Sequence, residues 1–458
     1  MSYHPYLAAT AAIVLIGTVL TAPSAFAATN SDAPAAPTAT DPDGAGEPGQ
    51  VAHHRFESPS QWREGESDGI WTFPVSRGGI LMGWPAGTHE YTDPHTEVTR
   101  TYEYSTWTSP MIDVDFDATE LVASWNASTP EGSWIEIELQ ATYTNGETSP
   151  WAVMGRWSSD DEQDDIRRTT VNGQGDAYSS VWTDTFAIDD ASAGVLIDGY
   201  QLRLTLNRPE DSNRSPRVWM VGAMASAIPD RFEAPPAEGG IAWGTELAVP
   251  RRSQNIHEGN YPEYGGGGQV WCSPTSTTMV MEYFGFRPSR KDMSWIEPGY
   301  TDPQVAHAAR MTWDYAYSGA GNWTFNTAYA ASSSIMLDAF VTRLRSMDDL
   351  ERFIAAGIPV VTSQSFLESE LDGAGYGTAG HLFVVVGFTD DGDVIVNDPA
   401  SPSNQAVRHV YDREQFERIW LRTQRFNASG DVVGGSGGIS YIIKPAWKDL
   451  PDGGDGAW

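Results

Sequence analysis

The stretch Gly265-Gly-Gly-Gly-Gln-Val-Trp-Cys-Ser-Pro-Thr-Ser-Thr-Thr-Met-Val-Met-Glu-Tyr-Phe-Gly285 decides how the second half of this chain folds. It contains Cys272, the only cysteine among 458 residues. Pro274 follows, and proline suits the first turn of a helix because its missing N–H needs no partner there. The residues from 275 to 284 then predict a buried helix, which places Cys272 at or just before its N-terminus. Free N–H groups and the helix dipole favour a thiolate at that position, as expected for a cysteine nucleophile.

The composition excludes several classes of function. The chain has 61 acidic and 28 basic residues and a net charge of -33. Nucleic-acid binding requires a basic surface, and anionic membrane surfaces attract basic proteins, so neither partner is expected. A large negative charge is typical of a highly soluble protein. A single cysteine also excludes an intramolecular disulfide and leaves a free thiol.

The N-terminus predicts export. Residues 1–27 read as a signal peptide, because the apolar run from Leu7 to Leu20 precedes an Ala-x-Ala site at Ala25 to Ala27. We therefore expect a secreted, extracellular protein, with the cell wall as a candidate location. Residues 28–53 are rich in Ala, Pro, Thr, Asp and Gly, which predicts a disordered linker.

Residues 54–229 predict an all-β sandwich of jelly-roll type. Short alternating segments are separated by turn residues, and Asn145-Gly146 is a strong hairpin signal. The clearest predicted strands are Leu121–Trp125, Trp134–Leu139 and Tyr200–Leu206. Many of the eighteen Trp residues lie in short alternating segments, as expected for pleated, half-buried surfaces. Exposed Trp on the sandwich would suggest carbohydrate binding, but packing in the core or against the second domain is the favoured interpretation for the sandwich Trp residues.

A linker is predicted at residues 230–246, and a domain of mixed α and β structure at 247–446. Helices are predicted over 303–317, capped by Thr301 or Asp302, over 347–356, capped by Ser346, and over 412–421. Strands are predicted over 360–363, 382–388, 393–396 and 439–443. Residues 447–458 form a Gly- and Asp-rich tail that is expected to fray.

A thiol nucleophile needs a base, and four histidines of the second domain are candidates. His307 lies inside a predicted helix, His409 in a charged segment, and His257 in a polar loop that offers nothing to hold it. His381 follows a glycine-rich turn and opens a continuous apolar strand. A residue at the mouth of a buried strand is rigidly placed and can still face a cleft. His381 is therefore the preferred base.

The base in turn needs an orienting group. The strand that begins at His381 turns at 389–393 and returns to Asn397-Asp398-Pro399. A hairpin brings its open ends together, so Asp398 can accept the imidazole N–H. Asn397 is the alternative.

Two kinds of group could stabilise an oxyanion. The backbone N–H of Cys272 is one, and a side-chain amide from Gln254 or Gln269 is the other. No cofactor or metal is needed for this chemistry. The run from Asp113 to Asp117 lacks the spacing and the loop glycine of a calcium loop.

Three separated motifs resemble the family-thirty-nine-like cysteine peptidases of the papain-like superfamily, relatives of the bacteriocin-leader peptidases. These motifs are Gly-Gly-Gln-Val-Trp-Cys-Ser-Pro, Gly-His-Leu-Phe-Val-Val-Val-Gly-Phe and Val-Asn-Asp-Pro, in that order. The resemblance covers about residues 247–445. It implies a papain-like α+β fold in which Cys272 is the nucleophile, His381 the base and Asp398 the orienting residue. Ser253-Gln254 matches the family segment that carries the oxyanion glutamine.

The sequence departs from the family at two points. Cys-Ser-Pro stands where many relatives have Cys-Gly, and no transporter accompanies the domain, so processing of leaders at a double glycine does not carry over. We expect a secreted cysteine peptidase that acts on a peptide or protein substrate as a monomer. The alternatives are an acyl-transferring or cell-wall amidase relative, and a non-catalytic protein that binds through its sandwich.

Overall fold

The computed structural model describes residues 46–75, 77–159 and 166–458. The predicted signal peptide and most of the predicted linker lie outside these residues. No helix within them is both long and apolar enough to cross a membrane.

The described part of the first region is built of β-strands, with one short α-helix and one 3-10 turn at Ala191–Ala193. Its strands are β1 Gln50–Phe56, β2 Glu66–Asp68, β3 Ile70–Thr72, β4 Ile80–Met82, β5 Gly87–Thr92, β6 Thr99–Thr108, β7 Ile112–Ala118, β8 Glu120–Ser128, β9 Trp134–Tyr143, β10 Ala152–Trp157, β11 Ser179–Trp182, β12 Thr185–Ile188, β13 Ile197–Pro209 and β14 Arg217–Ala227. The helix, α1, spans Pro59–Trp62. β1 takes in four residues of the predicted linker, 50–53, because it pairs with β14 along its whole length.

These strands form two antiparallel sheets that share a core. One sheet has the order β11-β12-β8-β14-β4-β3, with β1 also paired to β14. The other has the order β10-β9-β13-β6-β2, with β5 on β6 and β7 on β13. Alternate residues of β8, β9, β13 and β14 are buried in one apolar cluster, so the two sheets pack face to face.

The second region combines a six-stranded antiparallel sheet with helices on both faces. Its strands are β15 Leu337–Arg343, β16 Val360–Phe366, β17 Thr378–Phe388, β18 Val394–Asn397, β19 Arg408–Tyr411, β20 Gln424–Phe426, β21 Val432–Gly434 and β22 Ile439–Pro445. Its helices are α2 Cys272–Tyr283, α3 Pro303–Met311, α4 Trp323–Ser332, α5 Met347–Ala355 and α6 Arg413–Leu421. The sheet order is β15-β22-β16-β17-β18-β19, and β20 and β21 pair separately.

Alternation along β17 explains why both faces of this sheet are covered. Leu382, Val384 and Val386 pack in a cluster with α2 and α4. Phe383 and Val385 point to the opposite face and pack in a second cluster with α5 and α6. The strand therefore reads as a continuous apolar run, as a strand buried on both faces should.

The two regions are joined along the open edge of β15. Asn126 of β8 accepts the N–H of Ala339 at 3.0 Å and donates its side-chain amide to the Ala339 carbonyl at 3.0 Å. Two residues along each strand, the Ser124 hydroxyl accepts the N–H of Val341 at 3.0 Å. Side chains of the first region thus satisfy backbone groups that an edge strand would otherwise leave unpaired.

Aromatic packing continues across the same boundary. Phe325 of α4 lies edge-to-face against Trp125 and Trp157, with ring centroids 6.0 and 5.4 Å apart. The prediction that Trp residues pack in the core or against the second region is confirmed for these two. It is wrong for Trp71, Trp84 and Trp182, which are exposed.

The predicted helix over 303–317 ends early, at Met311. The Asp314 carboxylate accepts the N–H groups of Ala316 and Tyr317, and such local side-chain bonds compete with helix continuation. Asp302 lies at the N-cap position, as predicted, but does not cap the helix. Its side chain makes no capping bond and instead accepts from Asn404 at 2.6 Å.

The predicted frayed tail is packed instead. Trp458 lies against Phe353 with ring centroids 4.9 Å apart, and Ala457 is fully buried. The carbonyl of Gly456 also accepts the N–H of His53 at 2.6 Å. The aromatic last residue therefore fixes a segment whose composition suggested disorder. Neither α4 nor β15 is among the elements predicted from the sequence.

Replacing Asn126 by Ala should destabilise the protein by about 2–4 kcal/mol, because it leaves a buried N–H and a buried carbonyl of Ala339 without partners. Ser124→Ala removes one acceptor and should cost about half as much. Urea unfolding followed by Trp fluorescence measures both changes. Unchanged unfolding midpoints in both variants would contradict the role given to this strand edge.

Candidate active site

Cys272 is the first residue of α2, as the sequence predicts. The glycine run before it has positive φ at all four residues, from +58° to +82°, a conformation that strains other residues. A Cβ at Gly267 would also meet the carbonyl oxygen of His257 at 2.0 Å. Trp271 anchors the end of this loop, because it is fully buried and donates its indole N–H to the Tyr264 carbonyl at 2.6 Å. The loop thus fixes Cys272 at a helix N-terminus while leaving its side chain partly exposed.

His381 and Asp398 lie side by side at the open end of the β17–β18 hairpin. His381 Nε2 is 2.8 Å from Asp398 Oδ1, and the two side chains are 4% and 1% exposed. This hydrogen bond occupies Nε2 and leaves Nδ1 as the ring nitrogen free for a second partner. Asn397, the alternative orienting residue, points elsewhere and donates to the carbonyls of Val249 and Pro250.

Two tyrosines that are not predicted from the sequence to have a role complete the surroundings of Asp398. Tyr376 and Tyr411 donate their hydroxyls to Asp398 Oδ2 at 2.8 and 2.9 Å. The N–H of Ala400 donates to Oδ1 at 2.9 Å. With His381, four donors surround this carboxylate. The sequence feature that could have identified Tyr376 is its position in the glycine-rich turn directly before His381.

The helix that begins with Cys272 is hydrogen-bonded to the sheet that carries His381. Ser276 of α2 donates its hydroxyl to the Leu382 carbonyl at 3.2 Å. Ser273 is hydrogen-bonded to the hydroxyl of Tyr441 at 2.9 Å. These contacts bring Cys272 close enough to His381 for a hydrogen bond and a charge interaction between the two side chains.

The electrostatics of the site favour a charged imidazole. Burial disfavours a positive charge on His381, but the Asp398 carboxylate and the interaction with Cys272 outweigh it and raise the His381 pKa to about 10. Burial likewise disfavours the charge on Asp398. The imidazole, the Tyr376 hydroxyl and the Ala400 N–H nevertheless hold its pKa below the usual value. His381 and Asp398 are therefore a charged pair at neutral pH.

Gln254 lies next to this pair, whereas Gln269 does not. The Gln254 N–H donates to the Pro399 carbonyl at 2.9 Å, and Asn255 donates its side-chain amide to the Ala400 carbonyl at 3.0 Å. The Gln254 side chain is buried, and its amide oxygen has no hydrogen-bond partner among the described residues. Gln269 is exposed to solvent. The structure thus attaches Gln254 to the loop that follows Asp398.

The other three histidines of the second region make structural contacts away from the Asp398 carboxylate. The expectation that nothing holds His257 is wrong, because its Nδ1 is 2.8 Å from the Tyr300 hydroxyl and its ring packs against Trp271. Burial lowers the His257 pKa to about 4. His307 lies in α3, as expected, and His409 is hydrogen-bonded to Ser401 at 3.0 Å.

Within the described residues, no group of three or more His, Cys, Asp or Glu side chains could hold a metal ion. Asp113, Asp115 and Asp117 alternate along β7 and are all exposed. The chemistry on offer is that of a thiol beside a charged imidazole, which is the requirement for nucleophilic attack on a carbonyl.

Two protein-family models match the chain. Residues 52–226 match the peptidase C39 N-terminal domain, and residues 246–427 match the peptidase C39-like family. The chain is therefore a C39-family peptidase-domain protein with the C39 N-terminal domain in front. The first range covers the first region apart from its outermost residues. The second range ends before β21 and β22 and includes Cys272, His381 and Asp398.

One solved structure with detectable similarity is that of a C39-like peptidase from Bacillus anthracis. It is 18% identical, with 44% of this chain and 96% of that chain covered and a TM-score of 0.27. No curated protein sequence matches the chain.

His381 should remain protonated from pH 6 to pH 9, because its folded-state pKa is raised to about 10. NMR of ¹³C-labelled histidine, with the signal assigned by its loss in His381→Gln, measures this directly. Asp398→Asn should lower the apparent pKa of His381, since it removes the charge that raises it. Asp113→Asn is the matched control at an exposed carboxylate and should change nothing. Titration of His381 near pH 6.5 in the wild type would contradict the charged pair.

Proposed function

We propose that this protein is an exported cysteine peptidase that hydrolyses peptide bonds through a thioester formed on Cys272. The observation that carries the proposal is the buried His381–Asp398 pair, held against a single cysteine at a helix N-terminus. In this assignment Cys272 is the nucleophile, His381 the acid and base, and Asp398 the group that orients the imidazole and stabilises its charge.

The first half of the reaction forms the thioester. The Cys272 thiolate attacks the carbonyl carbon of the scissile bond, and the carbonyl electrons move onto its oxygen. When this intermediate collapses, the C–N bond breaks and His381 gives its proton from Nδ1 to the leaving amine. Asp398 stays ionised and hydrogen-bonded to Nε2 throughout.

The second half of the reaction restores the enzyme. His381 takes a proton from a water molecule, whose oxygen attacks the thioester carbon. Collapse of that intermediate releases the new carboxylic acid and returns the sulfur to the thiolate. His381 is then again protonated, so the starting ion pair is regenerated.

The oxyanion formed in both halves needs donors. We assign the Cys272 backbone N–H and the Gln254 side-chain amide to this role. Two features support Gln254 over Gln269: it is buried, and its backbone is hydrogen-bonded to the loop that follows Asp398. An exposed Gln269 would have to leave solvent to reach the site.

The arrangement also supports a papain-like assignment for the second region. A helix that begins at the cysteine packs against an antiparallel sheet, and that sheet carries the histidine with the aspartate directly after the neighbouring strand. For the first region, two face-to-face antiparallel sheets support the predicted sandwich, and the jelly-roll type remains a proposal.

Export and the remaining properties rest on the sequence. The apolar run and Ala-x-Ala site near the N-terminus support secretion, with the cell wall as a candidate destination. We propose a peptide or protein substrate and a monomeric enzyme that needs no cofactor. The net charge of -33 supports the exclusion of nucleic acid as a partner.

Cys272→Ala and His381→Ala should each reduce cleavage of an unfolded, alkylated casein substrate by at least about 10³-fold, because each removes a reacting group. Asp398→Asn should reduce it by a smaller factor, since the nucleophile and base remain. Mass spectrometry of the fragments gives the rates and shows whether the new ends are free carboxylic acids. Adding glycinamide tests acyl transfer, which would attach the amine to those ends.

Three further variants make this experiment specific. His409→Gln changes a histidine outside the site and should leave the rate unchanged. Gln254→Ala should lower the rate about 10²- to 10³-fold if it supplies an oxyanion donor, whereas Gln269→Ala should have little effect. Equal cleavage by wild type and Cys272→Ala would refute the peptidase assignment and favour a binding protein.

A further inference from the structure

A cleft of about 360 Å³ lies where the two regions meet. One wall is the β11–β12 hairpin of the first region, with Trp182 and Asp184. The opposite wall belongs to the second region and includes Tyr317 and Trp323. The function proposed above gives this cleft no role.

The tip of the hairpin is held in an unfavourable conformation. Thr183 has φ +55°, which is rare for a β-branched residue, and such strain persists only where surrounding contacts impose it. The imposing contact is a hydrogen bond from the N–H of Trp323, at the start of α4, to the Asp184 carboxylate at 2.7 Å. Trp182 beside it remains 66% exposed. The hairpin is thus fixed to the second region while it holds a large aromatic side chain in solvent.

The lining of the cleft is joined to α2, the helix that begins with Cys272. Asn326 accepts the Thr277 hydroxyl of α2 at 3.3 Å and donates its side-chain amide to the carbonyl of Asn322, a lining residue, at 2.8 Å.

Partial burial raises the pKa of Tyr317, and the nearby charges of Asp184 and Cys272 raise it further. The charges of Asp184 and Cys272 thus both act on Tyr317, which lines the cleft. Its loop is fixed by Asp314, which accepts the hydroxyl of Thr170 from the first region at 2.8 Å. The first region thus shapes the loop that carries Tyr317 as well as the far wall of the cleft.

The charges of the cleft favour a cation. Its one basic lining residue, Arg343, is already paired with Glu120. Asp184 accepts hydrogen bonds from neutral donors, the Trp323 N–H and the Thr185 hydroxyl, and forms no ion pair within the described part of the chain. Burial raises the Asp184 pKa to about 7, so a bound cation would stabilise its charged form.

Aromatic side chains add a second source of attraction for a cation. Trp182, Trp323 and Tyr317 all line the same cleft as the unpaired carboxylate. Aromatic faces attract ammonium and guanidinium groups, most strongly where water is partly excluded. A cleft lined by a carboxylate and aromatic rings is therefore suited to the side chain of Lys or Arg.

We propose that this cleft is a substrate subsite to which the first region contributes Trp182 and Asp184, and that it binds a Lys or Arg side chain of the peptide near the bond to be cleaved. The inference rests on the proposed peptidase function and adds to it a preference for basic peptides.

The test is protection of Cys272 from iodoacetamide by short peptides, using the full chain at pH 8. The probes are acetylated, amidated Ala-X-Ala tripeptides in which X is Lys, Arg, norleucine or citrulline. The Lys and Arg peptides should slow alkylation at least threefold at concentrations where the two neutral peptides do not. Because no other cysteine is present, the rate reports one site.

Three variants locate the effect. Asp184→Asn keeps an oxygen that can accept the Trp323 N–H but removes the charge, and it should abolish the preference for the basic peptides. Trp182→Ala should weaken protection by all basic probes. Trp71→Ala is the matched control, because Trp71 is 62% exposed and lies on β3, at the opposite edge of the same sheet.

The outcomes separate the two proposals. Equal protection by all four peptides, or no protection by any, would overturn the subsite. So would an unchanged preference in Asp184→Asn. Failure of the peptidase assignment has a different signature, namely an alkylation rate without peptide that does not depend on His381.

Discussion

The carboxylate of Asp398 is the constraint on which the site depends. A buried charge is costly unless it is paired and hydrogen-bonded, and Asp398 is 1% exposed. Its four donors come from different parts of the second region: His381 on β17, Tyr411 on β19, Tyr376 in the glycine-rich turn and the N–H of Ala400. Hydrogen bonding to this one carboxylate therefore fixes the positions of the glycine-rich turn, β17 and β19 relative to the loop that carries Asp398. It also fixes the orientation of the imidazole and favours its charged form.

The first region of the chain is integral to the second. Asn126 and Ser124 supply the partners that the edge of β15 lacks, and Trp125 packs against α4. Asp184 caps the first N–H of that same helix. An edge strand and a helix start are both places where backbone groups are left without partners, and in both cases the first region provides them. This explains how a sandwich without a cysteine of its own can shape the surroundings of Cys272.

Sequence alone located the three residues that the structure brings together. Cys272 follows a glycine run and precedes a proline, and His381 and Asp398 lie at the two open ends of one hairpin, so each position has a local signal. Tyr376 and Tyr411 had no local sequence signal strong enough to identify them as donors, because a tyrosine beside a carboxylate is recognised only once the strands are paired. The same holds for β15, whose partners lie in another region. The tail was misjudged because its composition hides the packing of Trp458 against Phe353.

The most direct test of the central claim is the pH dependence of Cys272 alkylation by iodoacetamide in wild type and His381→Ala. A charged imidazole beside the sulfur favours the reactive thiolate, so the wild-type rate should exceed that of His381→Ala across the pH range. A wild-type rate that rises like that of a free thiol, and is the same in His381→Ala, would contradict the pairing of Cys272 with His381.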